Sequence, residues 1–487
     1  MKKTRLATLS LAMAVLLPSV TSCKSDASPF DWTITTVNNN KATIQLDLKV
    51  EETRADGYST DEENEIKKLI VYVFDESQNL ELTEEFDIED DDKVVTLEVS
   101  NGYKTLYAVT AKNNVNPANV TNLTAYENSV FNSSLSNIMP GFGLTGEDGA
   151  QSDVQYVMVG KSDEQLVMKS ASETDLPVSN KFQIQLVRLI AKAQVKSVGA
   201  DGSAFGIHMG KASFKAFQLN ERMRVVHDGT DVFDSGVSTF QDSDGDGTYD
   251  NYTFGVGEYQ DAVEAFTGSG CAYLSENIVS NPLSGNTTFL GIRFATIPLK
   301  YYTYDTSDSS VKVLEEVTDF TTPTTYYTVG IKDADRGMVD YTVFPKEKNI
   351  ITFKDLTDAE NYKNSLNGGE NSAITVSQAD QPLQIAPLTR AEGTPQFEVF
   401  TFNNGYAYYR VNIAHDESGD QSKRIFKVVR NKFYKVNIAS VNSLGFSTED
   451  LLRPAQAGSG LDISGKPWIS VSVSIAPWDE IEQDAHL

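Results

Sequence analysis

Residues 42–50, Ala-Thr-Ile-Gln-Leu-Asp-Leu-Lys-Val, alternate apolar and polar without a break. In an extended chain Ile44, Leu46, Leu48 and Val50 share one side, and Thr43, Gln45, Asp47 and Lys49 the other. A period of two sustained that long predicts a half-buried β-strand. Strand-like runs recur at 66–74, 94–99, 103–111, 182–195, 212–219, 287–294, 326–331, 398–402, 406–413, 425–441 and 469–475. Asn101-Gly102 predicts a hairpin joining 94–99 to 103–111. The strand stops at 51–54, the polar, acidic segment 55–64 reads as an exposed loop, and 117–153 as loops or short helical turns. No helical period persists over three turns, although a short helix is expected near 358–366. With 24 Phe and 21 Tyr against 3 Trp, composition also leans toward strands. The chain is therefore expected to be all-β, a pair of sandwiches with few short helices. The Gly-containing stretch 199–202 divides residues 55–199 from 200–487.

Charge limits the partners. The chain has 41 basic and 68 acidic residues, a formal net charge of −27. Binding phosphates requires clustered Lys and Arg, so nucleic acid and anionic lipid surfaces are disfavoured. Cys23 and Cys271 alone supply no disulfide framework, and Cys271, between Gly270 and Ala272, is expected to be a small buried residue. His208, His227, His415 and His486 are not spaced as metal ligands. No GxSxG, HExxH, Walker or GxGxxG signature is present, so no enzyme is indicated.

The first residues read as an address. Lys2, Lys3 and Arg5 precede an apolar run, Leu9 to Leu17, too short for a membrane-spanning helix. Val20-Thr21-Ser22-Cys23 follows, and resembles a bacterial lipobox with Cys23 as the lipidated residue. The alternative is an ordinary signal peptide with a chance cysteine. Residues 1–22 are thus expected to be a signal, and 23–54 a lipidated propeptide bearing the first strand.

Two further features stand out. Asp242, Asp244, Asp246 and Asp250, with Gly245 and Gly247 between them, resemble a calcium loop, since hard cations take several oxygen ligands around a turning chain. The twelfth position of an EF-hand would be Thr253, not Glu. A structural calcium ion and a solvated acidic tip are both open at this point, and no cofactor is required. At the other end, Ile469, Val471, Val473 and Ile475 alternate with serines, and Pro477-Trp478 closes the run. A long alternating strand near a loose terminus is an unpaired edge unless it has a destination.

Several elements in order carry a resemblance to a known family. They are Tyr408-Tyr409-Arg410, then 429–438 with Arg430-Asn431, then Ser443-Leu444-Gly445-Phe446, then 469–475 and Ala476-Pro477-Trp478. In these the chain resembles the fimbrillins of Bacteroidales type V pili, most closely the stalk subunit of the minor fimbrium. The lipobox followed by a clean strand and Thr53-Arg54-Ala55 fits the same architecture, and 66–74 and 187–193 match more weakly, so the resemblance spans most of the chain, is strong at its two ends, and leaves 249–396 unaligned.

The resemblance implies two transthyretin-like β-sandwich domains and export as an outer-membrane lipoprotein. It implies that an arginine-specific surface protease cuts between Arg54 and Ala55. The removed strand, with Ile44, Leu46, Leu48 and Val50, would leave a groove. The C-terminal segment 468–487 of the next subunit, with Ile469, Val471, Val473, Ile475 and Trp478, would fill it. The implied partners are identical subunits in a homopolymer, fimbrial anchor and tip subunits, the protease, and host or bacterial surface receptors. Physical estimates agree: four fully buried apolar side chains at about 1.5–3 kcal/mol each leave roughly 6–12 kcal/mol for a replacement strand. A fimbrial tip or accessory adhesin is one alternative. Another is a surface carbohydrate-binding lipoprotein using Tyr301, Tyr302 and Tyr304 as stacking platforms.

Overall fold

The alternating stretch forms β1 (Lys41–Val50), and its apolar side is wholly internal: Ile44, Leu46, Leu48 and Val50 are all buried. In this computed structural model the residues described are 41–50, 61–88, 94–110, 120–132, 156–169, 176–197, 205–226, 241–331 except 268 and 280, 350–368, 375–377, 382–384, 397–415, 426–441, 444–454, 457–458 and 469–477.

β1 belongs to an eight-stranded sheet with β2 (Lys68–Phe74), β3 (Leu80–Asp87), β4 (Val94–Ser100), β5 (Gly102–Thr110), β7 (Met158–Lys161), β8 (Gln165–Val167) and β9 (Lys181–Arg188). The strands run in the order β3-β2-β5-β7-β9-β1-β4, with β8 on β5. The sheet folds over a single core, in which Leu69, Val71 and Val73 of β2 and Leu106 and Ala108 of β5 join Leu46, Leu97 and Ile184. β2 reads Leu-Ile-Val-Tyr-Val-Phe because its second face is buried too, with Ile70, Tyr72 and Phe74 in the neighbouring core.

The turn at Gly102 is not a hairpin. β4 pairs with β1, and β5 with β2, β7 and β8. Gly102 adopts a φ of 116°, which suits a tight turn, but the turn carries the chain from one side of the core to the other. The run 182–195 is likewise two strands, β9 and β10 (Ile190–Ser197), in different sheets. The chain passes between sheets at Leu189, ahead of the stretch 199–202. Residues 61–64 form a helical turn, α1 (Asp61–Asn64), instead of exposed loop, and Glu63 within it is buried.

A second body is built from two facing four-stranded sheets. One runs β16 (Ala272–Ser275), β10, β26 (Lys432–Val441), β27 (Ile469–Pro477). The other runs β15 (Val256–Asp261), β11 (Ile207–Phe217), β17 (Phe289–Pro298), β25 (Tyr406–Asn412). Ala193 and Val195 of β10 and Val436 of β26 meet Phe214, Ile292, Phe294 and Tyr409 between them. Two short pairs flank this body: β6 (Val130–Asn132) with β13 (Arg222–Arg224), and β12 (Leu219–Asn220) with β14 (Tyr252–Thr253). Beside β6 lies α2 (Leu123–Glu127), N-capped by the Asn122 side chain, which accepts from the Ala125 N–H.

Between β17 and β25, themselves paired neighbours, the chain makes an excursion. It forms a five-stranded sheet, β19 (Ser310–Glu316), β18 (Lys300–Asp305), β21 (Thr352–Phe353), β20 (Tyr326–Ile331), β24 (Phe397–Phe402), with a small hairpin of β22 (Thr375–Ser377) and β23 (Pro382–Gln384). The expected short helix is here, as a 13-residue α3 (Leu356–Gly368) that packs Ala359 and Tyr362 onto Tyr302, Tyr304 and Phe353. Tyr301, Tyr302 and Tyr304 are therefore buried, which removes them as sugar-stacking platforms.

Candidate functional site

The two alternating strands at the ends of the chain have different neighbours. β1 is interior: it pairs antiparallel with β4 from Lys41↔Ser100 to Asp47↔Val94, and parallel with β9 from Gln45↔Lys181 to Val50↔Leu186. Its inward side chains fill a slot lined by Val95, Leu97, Val99, Phe182, Ile184 and Leu186. Among the described residues β27 lies at a sheet edge and pairs antiparallel with β26 alone, from Lys432↔Pro477 to Val441↔Ile469. The backbones of Ile469, Val471, Val473 and Ile475 lie in this strand. Cys23, Arg54, Ala55, Trp478 and residues 1–22 lie outside the described residues.

The chain just after the expected cut is fastened to the second body. Glu63 is 1% exposed and Lys192 of β10 not at all, and Lys192 Nζ lies 3.0 and 2.8 Å from the two carboxylate oxygens. Tyr273 Oη donates to Glu63 Oε1 at 2.9 Å. Arg188 Nε donates to the Glu63 carbonyl, its Nη2 to Asn64 Oδ1 and its Nη1 to Asn431 Oδ1. Desolvation holds the Lys192 ammonium below the usual lysine range, against the opposing pull of Glu63. The nearby Cys271 is half-buried, and burial pushes its thiol up to about 12, so it is not a reactive thiolate.

The C-terminal signature residues hold backbone together. Arg410 lies 3.9 Å above the Phe289 ring and donates to the carbonyls of Leu452 and Ser284, Gln218 Oε1 and Asn412 Oδ1. Burial lowers its guanidinium to about 9. Arg430 grips Glu276 and donates to the carbonyls of Arg224 and Val225. Asn431 sits at φ 56° and donates its N–H to the Ile190 carbonyl. Gly445 is required because a Cβ there would stand 2.4 Å from the Tyr408 carbonyl oxygen.

Of the four loop aspartates, Asp242, Asp244 and Asp246 bring carboxylate oxygens within 4.8 Å of one another, a grouping that could hold a metal ion. Asp250 does not join them. Its carboxylate accepts from the Ser243 N–H and Oγ, and these hydrogen bonds lower its pKa. Asp246 also pairs with Arg453, and Asp242 Oδ2 accepts from the Gly247 N–H.

Sequence reasoning missed Glu63, Lys192 and Asn180. Lys192 carried a weak signal, a lysine inside the apolar run Leu-Ile-Ala-Lys-Ala. Asn180 had none, since Pro177-Val178-Ser179-Asn180 reads as an ordinary turn.

Comparison with known proteins bears on both ends of the chain. Residues 42–148 match the family model of the major fimbrial subunit protein FimA. Residues 400–484 match that of the major fimbrial subunit protein type IV, fimbrillin, C-terminal. No curated protein matches the chain. Solved structures that align with it include a fimbrilin from Porphyromonas gingivalis W83, at 13% identity over 91% of this chain and 99% of that one, TM-score 0.44. The tip fimbrial protein Mfa3 from Porphyromonas gingivalis, with C-terminal truncation, aligns at 13% identity over 90% and 99%, TM-score 0.35. A fimbrial assembly protein from Parabacteroides distasonis ATCC 8503 aligns at 15% identity over 56% and 98%, TM-score 0.29. Both its N-terminal strands and its last strands thus match models of major fimbrial subunits, the family that its sequence motifs resemble.

Proposed function

We propose that this fimbrial subunit is a stalk protein that polymerises by strand exchange. It leaves the cell as a lipoprotein anchored through Cys23. An arginine-specific protease cuts between Arg54 and Ala55, the lipid-bearing segment departs with β1, and the terminal strand of a second copy takes its place. The observation that carries this reading is the asymmetry of the two strands: among the described residues β27 has one paired neighbour, whereas the slot of β1 offers two. A strand moving from the first position to the second gains a ladder and an apolar slot. Removing residues 1–54 takes away 7 bases and 5 acids, leaving 34 bases and 63 acids, a net −29 that keeps a long fibre soluble.

The role is structural and non-enzymatic, in a surface fimbrium supporting adhesion with anchor and tip subunits. A tip subunit needs a groove or a donor strand; this chain has a candidate for each, which favours the stalk. Asp242, Asp244 and Asp246 are proposed as a structural calcium site on the strength of their convergence. The test of the main reading is electron microscopy of purified protein before and after an arginine-specific protease. Fibres should form after cleavage alone. Fibres that form with residues 41–54 still attached would overturn the activation step, and cleaved protein that stays monomeric would overturn the exchange.

A further inference from the structure

β9 begins at Lys181, so its ladder to β1 begins at Gln45 and offers Thr43 no strand partner on that side. A side chain fills the gap. Asn180, with no solvent exposure, donates Nδ2 to the Thr43 carbonyl at 2.9 Å and to the Met168 carbonyl at 2.7 Å. Its Oδ1 accepts from the Met168 N–H at 2.9 Å, with Ser179 Oγ at 3.4 Å. A single 3-10 turn, Val178–Asn180, presents the amide just before β9. The body of the subunit thus fixes the amide in place through Met168 at the end of β8. One hydrogen bond, to Thr43, depends on whatever strand occupies the slot.

We propose that Asn180 is a positioning residue that checks how far the strand in the slot extends. It requires a backbone carbonyl where Thr43 now supplies one, and a strand that stops short leaves a buried amide without its acceptor. The apolar side chains do not make this check. Their period is two, so a strand displaced by two residues toward the Val50 end still turns apolar groups inward. A strand that begins after the Thr43 position fills the apolar slot equally well but has no carbonyl at the Asn180 end. For the second occupant, the terminal strand of another copy, the inference rests on the exchange reading above.

The first test uses the intact chain. In Asn180→Ser and Asn180→Leu, amide exchange at residues 42–45 should rise about tenfold relative to 48–50, because the anchored end frays. A uniform rise along β1, or no change in both variants, would overturn the inference. The second test uses protein cleaved after Arg54 and synthetic peptides. A peptide of residues 44–51 bearing an N-acetyl group, whose carbonyl stands in for that of Thr43, should bind about tenfold tighter than its free-amine form. In Asn180→Leu that preference should fall to about threefold or less. Equal preferences in wild type and variant would overturn the inference. A peptide of residues 469–477 separates the two ideas. If it fails to bind while the 44–51 pair behaves as expected, the exchange reading falls and the role of Asn180 stands.

Discussion

Lys192 and Glu63 form an ion pair sealed from solvent, between the second body and a helical turn that precedes β2. Neither charge has water to fall back on, so the pair makes each partner intolerant of the other's loss. Glu63→Ala should destabilise the intact protein by about 3–5 kcal/mol, because it strands a buried ammonium. Replacing both, with Glu63→Leu and Lys192→Met, should recover most of that loss. Urea unfolding curves of the three proteins, compared at constant slope, measure it. A single variant as stable as wild type would show that the pair is not buried in solution.

Leu46 is fully buried in the slot, and it leaves with the propeptide if the exchange reading holds. Leu46→Ala should therefore cost the precursor about 2–5 kcal/mol. Fibres grown from the cleaved variant should melt at the wild-type temperature. A melting difference persisting in purified, fully processed fibres would mean β1 stays in place.

Blocking the cut and removing the donor should fail differently. Arg54→Ala should yield a folded, lipidated monomer with its slot filled. Deleting 468–487 should yield a cleavable subunit that cannot extend a fibre beyond itself and that caps mixtures with wild type. Fibre length by electron microscopy distinguishes the two outcomes.

The alternation of the last strand supplies a finer test. Val473→Asp should slow polymerisation at least tenfold, since a carboxylate would enter an apolar slot. Ser472→Asp, facing the opposite way, should change it less than about threefold. Equal rates, followed by light scattering, would rule out this strand as the donor.

The acidic loop makes a separate prediction. Millimolar calcium should raise the melting temperature by mass action, and Asp244→Asn should abolish the shift. Asp250→Asn should leave it intact, because that carboxylate is committed to Ser243. No heat in calorimetry would leave a solvated tip, with Arg453 supplying the charge beside Asp246.

How much could be read in advance depended on how local the information was. β1 was legible because one of its faces is buried and the other is not, which writes a period of two directly into Ile44 to Val50. The turn at Ser100-Asn101-Gly102 was legible as a turn but not as a corner. A positive φ at Gly102 serves either geometry, and the choice of partner strand is made by residues far along the chain. The run 182–195 looked continuous because both β9 and β10 are apolar there; nothing around Leu189 marks the change of sheet. β12, β14 and β21, two residues each, are too short to carry a period at all. Glu63 stayed hidden in a polar, acidic stretch, since its burial is caused by Lys192 and Tyr273, more than a hundred residues away.

A strand held on both edges also answers force differently from one held on a single edge. Pulled along its axis, a strand seated between β4 and β9 loads all its rungs together and must slide before any one lets go. A strand on the outer edge of β26 can be peeled, one rung after another, by a pull from its end. If the exchange reading holds, a filament whose joints are of the first kind resists the drag of flowing liquid along its length, while the second kind of joint is the one that opens for assembly to begin.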